Sequence, residues 1–315
     1  MSDFDKRYRV RLLPSITVTQ THPLSVERLA PWVGRAAWAL MPITAGGALG
    51  AAVHGWDGPV RAAATAGMWA VWALTLVATL VPHPVGITVW RVAAPAALLA
   101  VALAAAGGHT TLLGALNAAV ALGVAFAPAT AAVFVNGPAY PNERRFSLRP
   151  PGIALVGPAA LAWAALVGGP TSAVLLLAGG NWAVGVPVAV VAAASSVVAG
   201  RALYGLARRW VVLVPAGIVI HDPLTLADPT LFQRAAIAGM GPAEVDADAP
   251  RLDLTAGALG LALELRLAGP TGVFVVTRAG RRPTAETVST ERLLIAPTRP
   301  AEVLAEVLAR GYPVG

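Results

Sequence analysis

The sequence predicts an α-helical membrane bundle of six transmembrane helices, followed by a small cytoplasmic β-rich domain that ends in a helix. Three observations predict it. Apolar stretches follow one another from position 35 to position 206, and each is long enough to cross a hydrocarbon core of about 30 Å, which takes about 20 helical residues. No Asp or Glu occurs between Asp57 and Glu143, or between Glu143 and Asp222; a helix packed in a soluble core would still carry acids on its outer face. From Trp210 onward the apolar residues alternate in short runs bounded by turn residues, which is the pattern of strands.

The elements follow in order. Residues 1–34 form a polar, basic cytoplasmic segment. Tyr8 to Gln20 alternates in part, through Val10, Leu12, Ile16 and Val18, and reads either as a strand laid on the cytoplasmic domain or as a loose tail. Ser25 to Leu29 suits one interfacial helical turn, and Trp32 suits a membrane–water boundary. No cleaved signal peptide is expected, because the basic start is not followed at once by an apolar run. The expected spans are Arg35 to His54, Arg61 to Val81, Val85 to Ala106, Thr111 to Val135, Ile153 to Leu177 with a kink around Pro170, and Trp182 to Leu203. Gly58-Pro59, Pro82 to Pro84 and Gly107-Gly108 mark tight connections.

Arginine placement orients the bundle. Lys6, Arg7, Arg9, Arg11, Arg28 and Arg35 precede the first span; Arg144, Arg145 and Arg149 lie between the fourth and fifth; Arg201, Arg208 and Arg209 follow the sixth. The positive-inside rule then places the chain in the plasma membrane with both termini cytoplasmic.

Composition excludes several classes. Hydrophobic residues make up 57% and charged residues 12%, against about 45–50% and about 25% in soluble domains. The net charge of +7 is unevenly divided. Fourteen basic and five acidic residues lie up to Arg209, nine basic and eleven acidic from Trp210 onward. A nearly neutral soluble part argues against nucleic-acid binding. With no cysteine there is no disulfide, thiolate metal site or thiol nucleophile. The one lysine, Lys6, excludes a Gly-Lys-Ser/Thr phosphate loop.

In the domain itself, Trp210 to Val214, the turn Pro215-Ala216-Gly217 and Ile218 to His221 read as a β-hairpin. Phe232 to Ala238, Leu252 to Leu254, Leu261 to Leu267, Val273 to Thr277 and Leu293 to Ala296 follow as candidate strands, with Ala268 to Thr271 as a turn-like break. Thr298 and Pro300 open a helix whose stripe is Val303, Leu304, Val307 and Leu308, and Gly311 ends it. About seven short strands and one closing helix resemble a pleckstrin-homology-like (PH-like) domain. The resemblance rests on Arg209-Trp210-Val211-Val212 before the first hairpin and on Leu293-Leu294-Ile295-Ala296-Pro297-Thr298-Arg299-Pro300 before the helix. The Ala-, Gly-, Pro- and Arg-rich composition adds a likeness to actinobacterial proteins, and the layout resembles bacterial multi-span proteins with a PH-like tail. That resemblance implies a fold and a membrane-side module, with no activity attached. Domains are expected at 1–34, 35–206 and 207–315.

Few residues stand out as site candidates. Arg91 lies near the start of the third span, where it either snorkels to the interface or pairs with a lipid phosphate. Arg144, Arg145 and Arg149 are topogenic charges, or they grip anionic headgroups or the acidic face of the tail domain. Gly46 and Gly50 form a GxxxG that suits close helix packing, inside the bundle or against a partner. Asn117 suits an interhelical hydrogen bond and Asn181 a turn. Arg278, Arg281 and Arg282 suit a solvated hairpin tip. The histidines do not assemble a ligand set, so no metal or cofactor is expected. The expectation is a non-enzymatic membrane protein, an accessory or scaffold subunit whose tail domain binds a protein partner. The alternative is a transporter or lipid-translocating protein, motivated by the Gly-rich breaks between Gly168 and Asn181; the missing intramembrane acids weigh against proton coupling.

Overall fold

The computed structural model describes residues 24–244, 250–277 and 284–315. The alternating segment Tyr8 to Gln20 and the Arg278, Arg281, Arg282 cluster lie outside them. The chain opens with three helical pieces, α1 (Leu24–Ala39), α2 (Met41–Thr44) and α3 (Gly46–Ala52). Their backbone ladder carries on across the joints, with Leu40 N–H donating to the Ala36 carbonyl at 2.9 Å and Leu49 N–H to Ala45 at 3.0 Å. Pro42, which has no N–H, sits in the irregular part. The first helix therefore starts inside the expected N-terminal segment and runs through Pro31.

Among the described residues four helices are long and apolar enough to cross a membrane: α4 (Gly58–Leu80), α5 (Pro84–Ala106), the run from Gly152 to Ala178, and α10 (Trp182–Ala207). The run is α8 (Gly152–Val156) and α9 (Pro158–Ala178), with its irregularity at Gly157, just before Pro158. α9 passes through Pro170 as one helix. The expected fourth span is two helices, α6 (Leu112–Phe126) and α7 (Pro128–Asn136), bent by 56°. The bend has a local cause. Ala127 precedes Pro128 and is held extended at φ −62°, ψ 135°, because a proline disfavours helical backbone in the residue before it. Among the described residues four candidate spans are thus continuous, the segment expected as the fourth is bent before Pro128, and the segment expected as the first is made of three short helical pieces.

Eight strands and one helix build the rest. One sheet has the order β1-β2-β3-β4, all antiparallel: β1 (Arg144–Ser147), β2 (Trp210–Val214), β3 (Gly217–His221) and β4 (Thr230–Gln233). The other has the order β5-β7-β8-β6: β5 (Ile237–Pro242), β6 (Leu252–Asp253), β7 (Leu263–Thr277) and β8 (Thr284–Ile295), with β6 parallel to β8. Both sheets and α11 (Pro300–Ala309) share one core, which includes Phe146, Leu213, Phe232, Leu265, Ile295 and Val303. A Cβ on Gly217 would lie 2.0 Å from the Phe232 carbonyl oxygen, so glycine there lets β4 close onto β3.

Several sequence boundaries shift. β1 comes from the loop between α7 and α8, and Phe146 and Leu148 from that loop are core residues. The tail domain is thus discontinuous in sequence and does not begin at residue 207. The expected strand Phe232 to Ala238 is split by a 3-10 turn at Arg234–Ala236 into β4 and β5. The expected break at Ala268 to Thr271 is a register shift inside one long strand. Thr298 does not cap α11; its backbone N–H and its hydroxyl both donate to the Ser147 carbonyl, at 2.9 and 3.0 Å. Arg299 takes the cap position because Pro300 fills the first helical turn.

Candidate functional site

Several polar side chains in the bundle go to carbonyls at a helix end or a break in a helix. The Arg35 Nε donates to Thr79 at the end of α4 (2.8 Å) and the Arg91 Nε to Ala125 at the α6–α7 bend (3.0 Å). The Asn117 amide donates to the Ala37 carbonyl at 2.7 Å and to the Thr44 hydroxyl at 3.0 Å, and Thr111 donates to the Thr44 carbonyl at 3.0 Å. Trp163 donates to the Val92 carbonyl inside α5 (2.9 Å). In a bilayer each such group must find a partner inside the protein, so these side chains make the broken helices tolerable. Arg91 therefore serves as a cap for the bend, and Asn117 makes the interhelical bond its position suits.

The glycine pattern distributes differently from its motif. A Cβ on Gly46 or Gly50 would meet nothing within 4 Å, so this chain makes no close approach there. Gly34 is where three helices, α1, α5 and α6, press together: a Cβ on it would lie 2.3 Å from the Trp90 ring and 2.6 Å from Val124. Asn181 sits in the α9–α10 turn, its N–H donating to Leu176 at 3.0 Å.

The densest polar construction joins the membrane helices to the sheets. The Asn136 amide, at the end of α7, brackets Arg145 by donating to its carbonyl and accepting its N–H, both at 2.8 Å. Gly137 packs against the Pro82 carbonyl, where a Cβ would come within 2.0 Å. The Arg145 guanidinium is bonded to Glu143 at 2.6 Å and holds that carboxyl below its ordinary pKa. Arg149 donates to the carbonyls of Leu259 (3.3 Å) and Leu261 (3.2 Å). Of the three loop arginines, Arg149 thus grips the tail domain through carbonyls, Arg145 through backbone pairing, and Arg144 is exposed with its guanidinium 5.6 Å from the Phe146 ring.

At the centre of this junction lies Arg209, 1% exposed. It makes a two-pronged ion pair with Asp222 (2.8 and 2.7 Å) and donates to the Arg149 carbonyl at 2.6 Å. Asp222 also accepts the Leu224 N–H at 3.0 Å and so shapes the turn after β3. Beside it, a column of side chains climbs from α10 to β1. Arg208 lies over Tyr204 (5.5 Å) and contacts His221 Nε2 (3.3 Å); His221 stacks on Trp210 (4.8 Å between centroids, 17° between planes); Arg145 covers Trp210 (5.6 Å). His221 Nδ1 lies 2.8 Å from the Arg208 carbonyl, so the proton sits on Nδ1 and Nε2 accepts. Burial pushes the His221 pKa down; the bond to the Arg208 carbonyl opposes this and the Arg208 charge adds to it. The sequence signal for this hub was the pairing of Arg208-Arg209 with His221-Asp222 at the two ends of a predicted hairpin, which the alternation alone did not rank.

Among the described residues no group of His, Cys, Asp and Glu could hold a metal ion. A groove of about 420 Å³ lies beside β8, lined by Leu252, Pro270, Val288, Ser289 and Arg292 among others. β6 covers β8 only at Leu293 and Leu294. Comparison with protein-family models, curated proteins and solved structures gives no match for this chain.

Proposed function

We propose that this chain is a non-enzymatic, multi-pass subunit of the plasma membrane whose PH-like tail domain docks an extended segment of a cytoplasmic protein partner. Two four-stranded sheets and one closing helix around a shared core support the PH-like reading. The observation that carries the scaffold reading is the origin of β1. Because a loop between membrane helices supplies a strand of the sheet, the domain is built into the membrane face rather than tethered to it. The same pairing supports the topology, since the α7–α8 loop and the C-terminal region lie on one side of the α8–α10 hairpin. Arg35 reaches the α4 end, next to Pro82 and Gly137, which supports an N-terminus on that side too. The six-span reading then counts α1–α3 and α6–α7 as broken spans.

The docking surface is the β8 edge from Thr284 to Arg292, which no described strand covers and which runs along the groove. Free strand edges take extended peptides through backbone hydrogen bonds. Full-length protein purified from its native membrane in mild detergent is expected to carry a stoichiometric protein partner. Thr287→Lys with Ser289→Lys should remove that partner, because edge lysines oppose strand addition, while the protein keeps its detergent-solubilised elution volume. A partner retained by the double variant rejects the edge. A protein that copurifies alone and moves a solute or lipid across proteoliposomes favours the transport reading.

A further inference from the structure

Between α7, β1 and the start of α11 lies a narrow crevice with room for about 10 Å³, the size of a single oxygen atom or water. One wall is Pro128, Ala132 and Asn136, spaced four residues apart on one face of α7, the half-span that follows the bend. The other face of α7, with Thr130, Ala131 and Phe134, is buried against the bundle. The floor and far wall carry Arg144, Arg145 and Arg299, together with the carboxylate of Glu302. Arg145 is engaged by Glu143, and Arg299 by Glu302. Arg144 meets no carboxylate among the described residues and is exposed. The first turn of α11 lines the same opening, and a helix N-terminus adds partial positive charge. Excess positive charge thus gathers at the foot of a helix that leads into the bilayer.

We infer that this crevice seats one phosphate oxygen of an anionic phospholipid from the leaflet on the sheet side, with Arg144 as its principal cation. The chemistry recognised is a phosphate anion. A soluble phosphate offers the same anion, but the apolar α7 wall fits an acyl-bearing source. Arg149 is not part of the site, because its guanidinium is committed to Leu259 and Leu261.

The test uses full-length protein in nanodiscs of phosphatidylcholine with a minor fraction of phosphatidylglycerol. Lipid retained after transfer to mild detergent is counted by native mass spectrometry. Wild type is expected to retain one phosphatidylglycerol in preference to phosphatidylcholine. Arg144→Gln should lower that preference about fivefold, the loss expected for one arginine at a membrane surface. Arg144→Lys should keep most of it, since a point charge still pairs with phosphate. Ala132→Leu, which fills the crevice from the helix side, should lower retention without removing any charge. Equal retention by wild type and Arg144→Gln, or no preference between the two lipids, overturns the inference. Displacement of the lipid by millimolar inorganic phosphate assigns the site to a soluble anion and also overturns it. The partner experiment on β8 is independent, so either result can fail alone.

Discussion

Trp38 and Trp72 exchange hydrogen bonds: each indole Nε1 donates to the other's backbone carbonyl, and both bonds are 3.0 Å long. Trp38 is in α1 and Trp72 in α4, so the exchange ties the broken first segment to a continuous span. Its logic lies in Pro42. In an unbroken helix the N–H of residue 42 would bond the Trp38 carbonyl, and proline has none. Trp72 supplies the missing donor. Trp72→Phe is expected to lower stability by about 1–3 kcal/mol, the usual consequence of orphaning a buried polar group. Adding Pro42→Ala to Trp72→Phe should recover part of the loss, because it restores a backbone donor. Thermal unfolding of the three proteins in one detergent measures both effects.

The Arg209–Asp222 pair is buried and every prong is bonded. Removing one partner leaves the other charge in a dry site, which typically destabilises by about 3–5 kcal/mol. Asp222→Ala is therefore expected to loosen the tail domain, read as faster proteolysis between residues 210 and 315. Arg209→Lys should also fail to substitute, since an ammonium cannot span both carboxylate oxygens and the Arg149 carbonyl.

His221 gives the junction a pH response. Its folded pKa lies below the ordinary value of 6.5, so the unfolded chain binds the proton more readily. Stability from this group is then fully present above about pH 6.5 and is lost as pH falls toward the folded pKa. Melting temperature measured from pH 7.5 to 5 should fall in wild type, and His221→Asn should flatten the upper part of that fall. Glu143, held low by Arg145, acts in the same direction at a more acid range: its contribution is present above the ordinary carboxylate pKa and disappears as pH drops through the folded value.

Gly34 and the Gly46–Gly50 pair make opposite predictions. Gly34→Ala forces a Cβ into the Trp90 ring and should destabilise by about 1–3 kcal/mol, the range for overpacking. Gly46→Ala and Gly50→Ala meet open space within a helix and should leave the melting temperature of the solubilised chain unchanged or slightly raised. The same melting assay separates them.

The discontinuity of the tail domain can be tested by dissection. Residues 207–315 alone lack β1 and with it the core side chains of Phe146 and Leu148. They are expected to give a poorly dispersed NMR spectrum. Linking residues 142–150 to their N-terminus should restore dispersion. A well-folded 207–315 fragment would mean that β1 is an accessory to the sheet.

The helices were legible because lipid imposes its composition on every exposed position of a span, and that signal survives without knowledge of neighbours. α4, α5 and α10 begin and end within a few residues of where the apolar runs do. The hairpin β2–β3 was legible for a similar reason, since alternation and a short turn are local. What was not legible depended on partners distant in sequence. Arg144 to Ser147 carries no strand signature of its own and becomes a strand only because β2 offers an edge. Thr298 looks like a helix cap until Ser147 appears beside it. Gly46-x-x-x-Gly50 has the letters of a packing motif, and Gly34 has the contact.

By itself the sequence determined which segments are apolar enough to cross a membrane and which carry the strand pattern of the tail, because hydropathy and charge spacing are properties of single residues. It did not fix where helices bend: Pro128 breaks the expected fourth span, whereas α9 passes through Pro170, where a kink is expected. Only the tertiary structure decided which side chain repairs each bend and where the tail domain begins. Those outcomes rest on carbonyls and guanidinium groups tens of residues apart coming within 3 Å, as Arg209 and the Arg149 carbonyl do at 2.6 Å, and no local pattern encodes that distance.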